Sequence, residues 1–147
     1  MDQQQGAYHL KKLKLKVTPQ RLEVMHCLAS EPSYLSADEV WSRAKPILGS
    51  LGLPTVYRIL DELTEAGVIS RIFRSDRKQY YHLCPNQNHH HHFVCESCRR
   101  VEDVEVCGLD GVAQVIRSTG GSVTSHILQI NGVCGKCIKR EEAANET

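Results

Sequence analysis

Fifteen of the 147 residues are cysteine or histidine, seven of one and eight of the other, and most lie in the second half of the chain. Four cysteines form two Cys-x-x-Cys pairs, Cys95/Cys98 and Cys134/Cys137. Each pair puts two thiolates on one tight turn. Two such pairs make a tetrahedral S₄ shell that suits Zn²⁺, and a shell with no open position is structural. A redox Cys-x-x-Cys normally occurs singly, at a helix start, so the doubled pattern points to zinc. The 35 residues from Arg99 to Val133 exceed the needs of a compact zinc ribbon, so the shell should clamp a whole subdomain. An odd cysteine count without a secretory signal argues against a disulfide framework. Of the remaining cysteines, Cys27 reads as a small core hydrophobe, and Cys107, beside a strand end, as a buried or spare thiol.

A run of four histidines, His89 to His92, leads directly into Phe93-Val94-Cys95. In an extended segment successive side chains alternate faces. His90 and His92 then share one face, and His89 and His91 the other, so one run can serve two metal sites. The preceding strand shows the same period, with His82 and Cys84 on one face. Cys84, His90 and His92, with His82 as a fourth, make a soft N/S set that favours Zn²⁺ over Mn²⁺ or Mg²⁺. The His89/His91 face needs partners from downstream, and Asp103, Asp110 and His126 are the candidates. Alternatively, Asp103 joins His82, His90 and His92 in an N/O shell that would take Fe²⁺ or Mn²⁺. The competing reading of four histidines is a solvated polar loop, which adjacency to the Cys-x-x-Cys argues against.

The elements that must position these groups divide the chain in two. Residues 1–83 carry 12 Lys/Arg and 9 Asp/Glu, a net +3, while residues 84–147 carry 6 and 8, a net −2. A basic front and an acidic, ligand-rich back suggest two domains, 1–84 and 85–147, with different partners. In the front half, Thr18-Pro19 is a helix start, and Ser36-Ala37-Asp38-Glu39 is a capping box opening a second helix that fades near Lys45-Pro46. A third helix, from about Pro54 to Ala66, places Val56, Ile59, Leu60, Leu63 and Ala66 on one face. "VISRIFR" and "KQYYHLC" then read as two strands around Ser75-Asp76-Arg77. Three helices and a two-stranded wing outline a winged helix-turn-helix, whose last helix enters the major groove. Its N-terminal turn offers Thr55, Tyr57 and Arg58 to bases and phosphates. The lysines between Lys11 and Lys16 are either a phosphate-facing patch or a solvated helix face.

In the back half, "RVEDVEV" and "SVTSHILQING" alternate as strands on either side of a helix from Leu109 to Arg117. Strand, helix and strand with a zinc staple are few elements for a lone unit, and dimerisation would supply the missing core. The fold class is therefore α+β: an N-terminal winged helix-turn-helix followed by a small α/β zinc-stapled dimerisation domain. No apolar run approaches the ~20 residues that span a bilayer, so a cytoplasmic protein with no membrane partner is expected. A hydrolase would need an open metal site with a general base, and the sequence has no HExxH and no nucleophile constellation.

The stretches "LKVTPQRLEVM", "SADEVW", "GLPTVYRILDELTEAGVI", "HHHHFVCESC" and "SHILQINGVCGKC", in that order, resemble the ferric uptake regulator (Fur) superfamily over about residues 10–138. The resemblance implies a cytoplasmic, homodimeric, metal-dependent repressor. It would bind an inverted-repeat operator in double-stranded DNA. It places a structural zinc on Cys95, Cys98, Cys134 and Cys137, DNA contacts on Tyr57, Arg58 and Lys16, and a sensing site on His90, His92 and ligands from the wing. A further site falls on His89, His91, Asp110 and His126. Iron- and peroxide-sensing members carry a histidine where this chain has Tyr34, and an acid where it has His82. Zinc-sensing members carry a cysteine that matches Cys84 and a ligand where this chain has Ser70. The pattern is nearest to the zinc-sensing type, with control of metal-uptake genes as the expected role. Sensing of iron, manganese or peroxide is the alternative.

Overall fold

A computed structural model describes residues 1–30 and 32–146. The chain forms two compact units, Met1–Gln87 and Asn88–Thr147. The first opens with helix α1, Gln3–Lys12, followed by α2, Pro19–Ala29. Strand β1, Leu35–Ser36, leads into α3, Ala37–Leu48, and α4, Leu53–Glu65. Two strands close the unit, β2, Ile69–Phe73, and β3, Gln79–Leu83. The three antiparallel strands lie in the order β1-β3-β2.

Local chemistry sets the helix boundaries. The Thr18 side chain accepts from the Arg21 amide, with Pro19 at the first position of α2. Ser36 and Glu39 exchange hydrogen bonds as a capping box at the start of α3. That helix does not fade at Pro46 but runs to Leu48. Pro46 stands in the last turn, where its missing N–H removes a single bond, and Gly49 ends the helix at φ +67° with its N–H on the Lys45 carbonyl. Helix α1, which the sequence pattern did not suggest, has its own capping box in Asp2 and Gln5 and buries Leu10. Leu10, Val24, Leu28, Val40, Val56, Leu60, Leu63, Ile69 and Tyr81 join one continuous apolar core that fixes α4 against the rest of the unit.

The second unit is built differently. Strand β4, His91–Cys95, is central, between β5, Val101–Val104, and β6, Gln129–Gly132. β5 pairs antiparallel to β4 and β6 pairs parallel. Helix α5, Asp110–Ser118, lies between β5 and β6 in sequence, and α6, Gly135–Asn145, follows β6. The alternating "SVTSHILQING" forms a strand only at Gln129–Gly132. Its partner strand starts at His91, and His92 already pairs with Gln129, so the earlier residues have no strand to lie against. The unit buries Val94 and Val101, and Cys95, Cys134 and Cys137 form a buried cluster with Phe93 against them.

Candidate metal centres and nucleic-acid interface

The four Cys-x-x-Cys sulfurs meet. One pair lies on the turn between β4 and β5 and the other at the N-terminus of α6, where Cys134 is the N-cap. Their Sγ atoms all lie within 4.8 Å of one another, with Cys98 and Cys134 3.8 Å apart. A tetrahedron with Zn–S of about 2.3 Å has edges of roughly 3.8 Å, so the residues fit a thiolate-bound zinc. Backbone amides of Cys98 and Cys134 donate to Cys95 Sγ at 3.5 and 3.3 Å, and Arg140 reaches Cys137 Sγ at 3.5 Å. Burial works to raise the Cys95 thiol, but amide donation from Cys134, Cys98 and Ser97 outweighs it and brings it down to about 6. The Arg100 amide works to lower Cys98, yet burial and the neighbouring sulfurs push it up to about 11.

The two faces of the histidine run separate as the period of a strand requires. On one face, His90 Nε2 and His92 Nε2 are 3.2 Å apart. Asp103 Oδ1 stands 4.0 Å from the first and 3.7 Å from the second. Asp103 is there because it pairs directly with His92 across the β4–β5 ladder. The sequence reading had also offered Asp103 to the reverse face. The register was open to deduction, since a hairpin folded over the Cys95–Cys98 turn sets Val94 against Val101 and so His92 against Asp103.

On the reverse face, the rings of His89, His91 and His126 meet edge-to-face or tilted, with centroids 4.7 to 5.0 Å apart. His91 is buried, and burial followed by the adjacent imidazoles of His89, His126 and His90 lowers its pKa. Asp110, the first residue of α5, lines a cavity of about 410 Å³ with Cys107 and His126, but it is not in the group of converging ligand atoms. Cys107 is in that group. The acid was the expected ligand, and the thiol, read as buried or spare, is half-buried beside His126.

His82 and Cys84 belong to the first unit. His82 lies in β3 opposite Ser70. Cys84 follows β3, is buried, and donates its amide N–H to the Val68 carbonyl at 2.9 Å. Cys27 is a core thiol as expected: burial, with Glu23 beside it, pushes it up to about 11.

Helix α4 displays Tyr57 and Arg58 to solvent, while Val56, Ile59, Leu60 and Leu63 are buried beneath. Thr55 is half-buried and Lys16 exposed. The N-cap, Gly52, supplies no side-chain cap, so the first-turn N–H groups of α4 keep no side-chain partner there. Arg58 Nη1 donates to Glu62 Oε1 at 2.8 Å, and Glu62 Oε2 accepts from Arg21 at 2.6 Å. Asp61 pairs with Arg71 at 3.1 Å. Two of the acids of α4 are thereby matched with arginines. Hydrogen bonding from Arg21, followed by its charge and the contacts of Arg58, outweighs burial and holds the Glu62 carboxyl below its usual range.

A helix-turn-helix that presents a Tyr-Arg pair, in one chain with imidazole and thiol clusters, is the build of a metal-responsive DNA-binding regulator. The comparisons with known proteins give that class a family. The sequence profile of the Ferric uptake regulator family matches residues 12–131, and the chain belongs to that family. It is 35% identical over 130 residues to the Ferric uptake regulation protein of Bacillus subtilis (strain 168), covering 86% of this chain and 87% of that one. It is 30% identical over 129 residues to the Peroxide-responsive repressor PerR of Staphylococcus epidermidis, covering 87% and 85%. Among solved structures, a zinc uptake regulator complexed with zinc and DNA matches with a TM-score of 0.77 at 25% identity, over 95% of both chains. A ferric uptake regulator from Francisella tularensis with iron matches with a TM-score of 0.63 at 28% identity, over 84% of this chain and 95% of that one. The family consists of transcriptional regulators, not enzymes. The resemblance drawn from the sequence is thus correct at the level of family and fold.

Proposed function

We propose that the chain is a homodimeric, cytoplasmic repressor that senses zinc, binds an inverted-repeat operator and controls metal-uptake genes. The observation that carries the sensing site is the convergence of His90 Nε2 and His92 Nε2 to 3.2 Å on one face of β4. Cys84, six residues before His90, is the sulfur ligand proposed from the sequence, with His82 as a further donor. The structural zinc is assigned to Cys95, Cys98, Cys134 and Cys137.

A bound cation supplies a cross-link among its ligands. Cys84 belongs to the first unit and the two histidines to the second, so holding all three in one shell would narrow the angles open to the winged helix. The DNA-competent arrangement is then more populated before DNA arrives, and less freedom is lost on binding. A gain of about 100-fold requires a coupling of only about 2.7 kcal/mol. Tyr57, Arg58 and Thr55 are proposed to read the major groove, with Lys16 on the backbone. The exposed Val112 and Val115 on α5 suit a dimer contact.

Cys84→Ser tests the reading. The variant should remain a folded dimer but fail to tighten on DNA when zinc is added; a wild-type zinc response would remove Cys84 from the site. One observation favours a second reading. Asp103 stands 3.7 Å from His92, and an N/O shell of this kind would suit Fe²⁺ or Mn²⁺. A DNA-shift titration across buffered Zn²⁺, Fe²⁺ and Mn²⁺, with metal content measured on the same sample, separates the two. Peroxide oxidation of the histidine ligands in the Fe²⁺ form would favour the second.

A further inference from the structure

We propose that Cys107 is a metal ligand, and that it turns the His89/His91 face of β4 into an N₃S site selective for a soft divalent cation. The site shares no residue with the proposed sensor, so it stands or falls separately from that reading. Four groups converge: His89, His91, Cys107 and His126 each offer a ligand atom, all within 4.8 Å of one another. His126 Nε2 lies 3.4 Å from His91 Nε2 and 3.5 Å from Cys107 Sγ. Tetrahedral zinc, with Zn–N of about 2.0–2.1 Å and Zn–S of about 2.3 Å, spaces the ligands of an N₃S shell roughly 3.3 to 3.6 Å apart. The two measured edges fall in that range.

The topology explains how a thiol reaches this face. His91 pairs with Val104 on β5 and His92 with Gln129 on β6. Cys107 follows the end of β5 by three residues, and His126 precedes the start of β6 by three. The chains leaving one neighbour strand and entering the other therefore flank His91 from both sides. The thiol decides the chemistry. Three imidazoles and a carboxylate would accept Mn²⁺ or Fe²⁺ as well as Zn²⁺, whereas a thiolate shifts preference toward zinc-like metals and away from Mn²⁺. Asp110, the acid expected at this site from the sequence, is not among the converging atoms.

The test uses the full-length dimer with its Cys-x-x-Cys shell preloaded with Zn²⁺, titrated with Co²⁺, Zn²⁺ or Mn²⁺. In the wild type, Cys107 should be protected from iodoacetamide when Co²⁺ or Zn²⁺ is present, as mapped by mass spectrometry, and not when Mn²⁺ is. Cys107→Ser should lose sulfur-to-cobalt charge-transfer absorbance relative to wild type and weaken Zn²⁺ binding at one site at least 10-fold. Cys107→Asp should bind Mn²⁺ more tightly than wild type. The proposal is overturned by equal alkylation of Cys107 with and without Co²⁺ or Zn²⁺, or by a cobalt spectrum unchanged in Cys107→Ser. The alkylation arm needs no variant, so misfolding of a mutant cannot obscure the answer. Loss of zinc-stimulated DNA binding is not a readout here, which keeps the result apart from the fate of the Cys84 reading.

Discussion

The two units solve the same stability problem by different means. The N-terminal unit has a continuous apolar core from Leu10 to Tyr81, and its polar features, the capping boxes and the Arg21–Glu62–Arg58 chain, decorate a fold that burial already secures. The C-terminal unit buries few aliphatic side chains and leaves Val112, Val115, Val123 and Ile127 in solvent. Three cysteines, with Phe93 packed against them, form a buried cluster in it. A domain of about 60 residues with so small a core needs a staple or a partner. On the proposed reading, metal would serve this unit structurally as well as in regulation, whereas the N-terminal unit carries an apolar core of its own.

The largest expected effect follows from that contrast. Cys95→Ser, or removal of the metal by a strong chelator, should unfold the C-terminal unit and leave the N-terminal one intact. Structural zinc contributes about 10–16 kcal/mol of apparent binding free energy in small zinc domains, more than a unit this size can replace. Trp41, the single tryptophan, lies in α3 with its Nε1–H on the Leu51 carbonyl at 2.8 Å, so its fluorescence reports on the N-terminal unit. The Trp41 unfolding transition should survive in Cys95→Ser while proteolysis cuts freely after residue 88. A Trp41 transition lost together with the C-terminal unit would show that the two are one cooperative block.

The converse substitution sits in the apolar core. Leu60→Ala removes a fully buried side chain and should cost about 2–5 kcal/mol by chemical denaturation followed at Trp41. Zinc content at the four-cysteine shell should not change, and a drop in it would break the separation from the other side. At the reading surface, Arg58→Ala should weaken DNA binding by about 1–3 kcal/mol at fixed salt, with no change in melting or metal content. Arg58 is exposed and its ion pair with Glu62 contributes little to the fold.

The same contrast governs what could be read from sequence. Capping signals found α2 and α3, and periodicity found α4 because a core-facing stripe leaves a 3.6-residue trace, as it found the two faces of the histidine run because a strand has period two. The pattern missed α1, whose segment QQQGAYHLKK has no apolar stripe and buries only Gly6 and Leu10, although Asp2 and Gln5 carried a capping-box signal. The pattern missed α6, a polar helix that starts at Cys134, a proposed zinc ligand, rather than at a capping hydroxyl. The placement of Asp103 depended on strand register, and that of Cys107 on where a loop leaves its strand. Single-residue patterns hold no record of the second. A core announces itself along the chain, whereas a ligand shell is assembled from positions whose only common property is their side-chain chemistry.

The smallest effect tests whether polar contacts in the N-terminal unit really are secondary. Glu62 has a carboxyl held below its ordinary pKa, chiefly by hydrogen bonding from Arg21. A depressed folded-state pKa gives stability that is fully present above the unfolded value and is lost as pH falls through the lower, folded one. Acidification should therefore begin to remove this contribution as pH falls through the usual glutamate range, and the loss should be complete only below the lower, folded value. Glu62→Gln should remove that part of the acid sensitivity and lower stability at neutral pH by about 1 kcal/mol or less. Tracked at Trp41, the variant's stability should approach wild type as pH drops, because protonation removes the same charge that the substitution does. A Glu62→Gln loss as large as that of Leu60→Ala would mean that the arginine chain, and not the apolar core, holds α4 in its reading position.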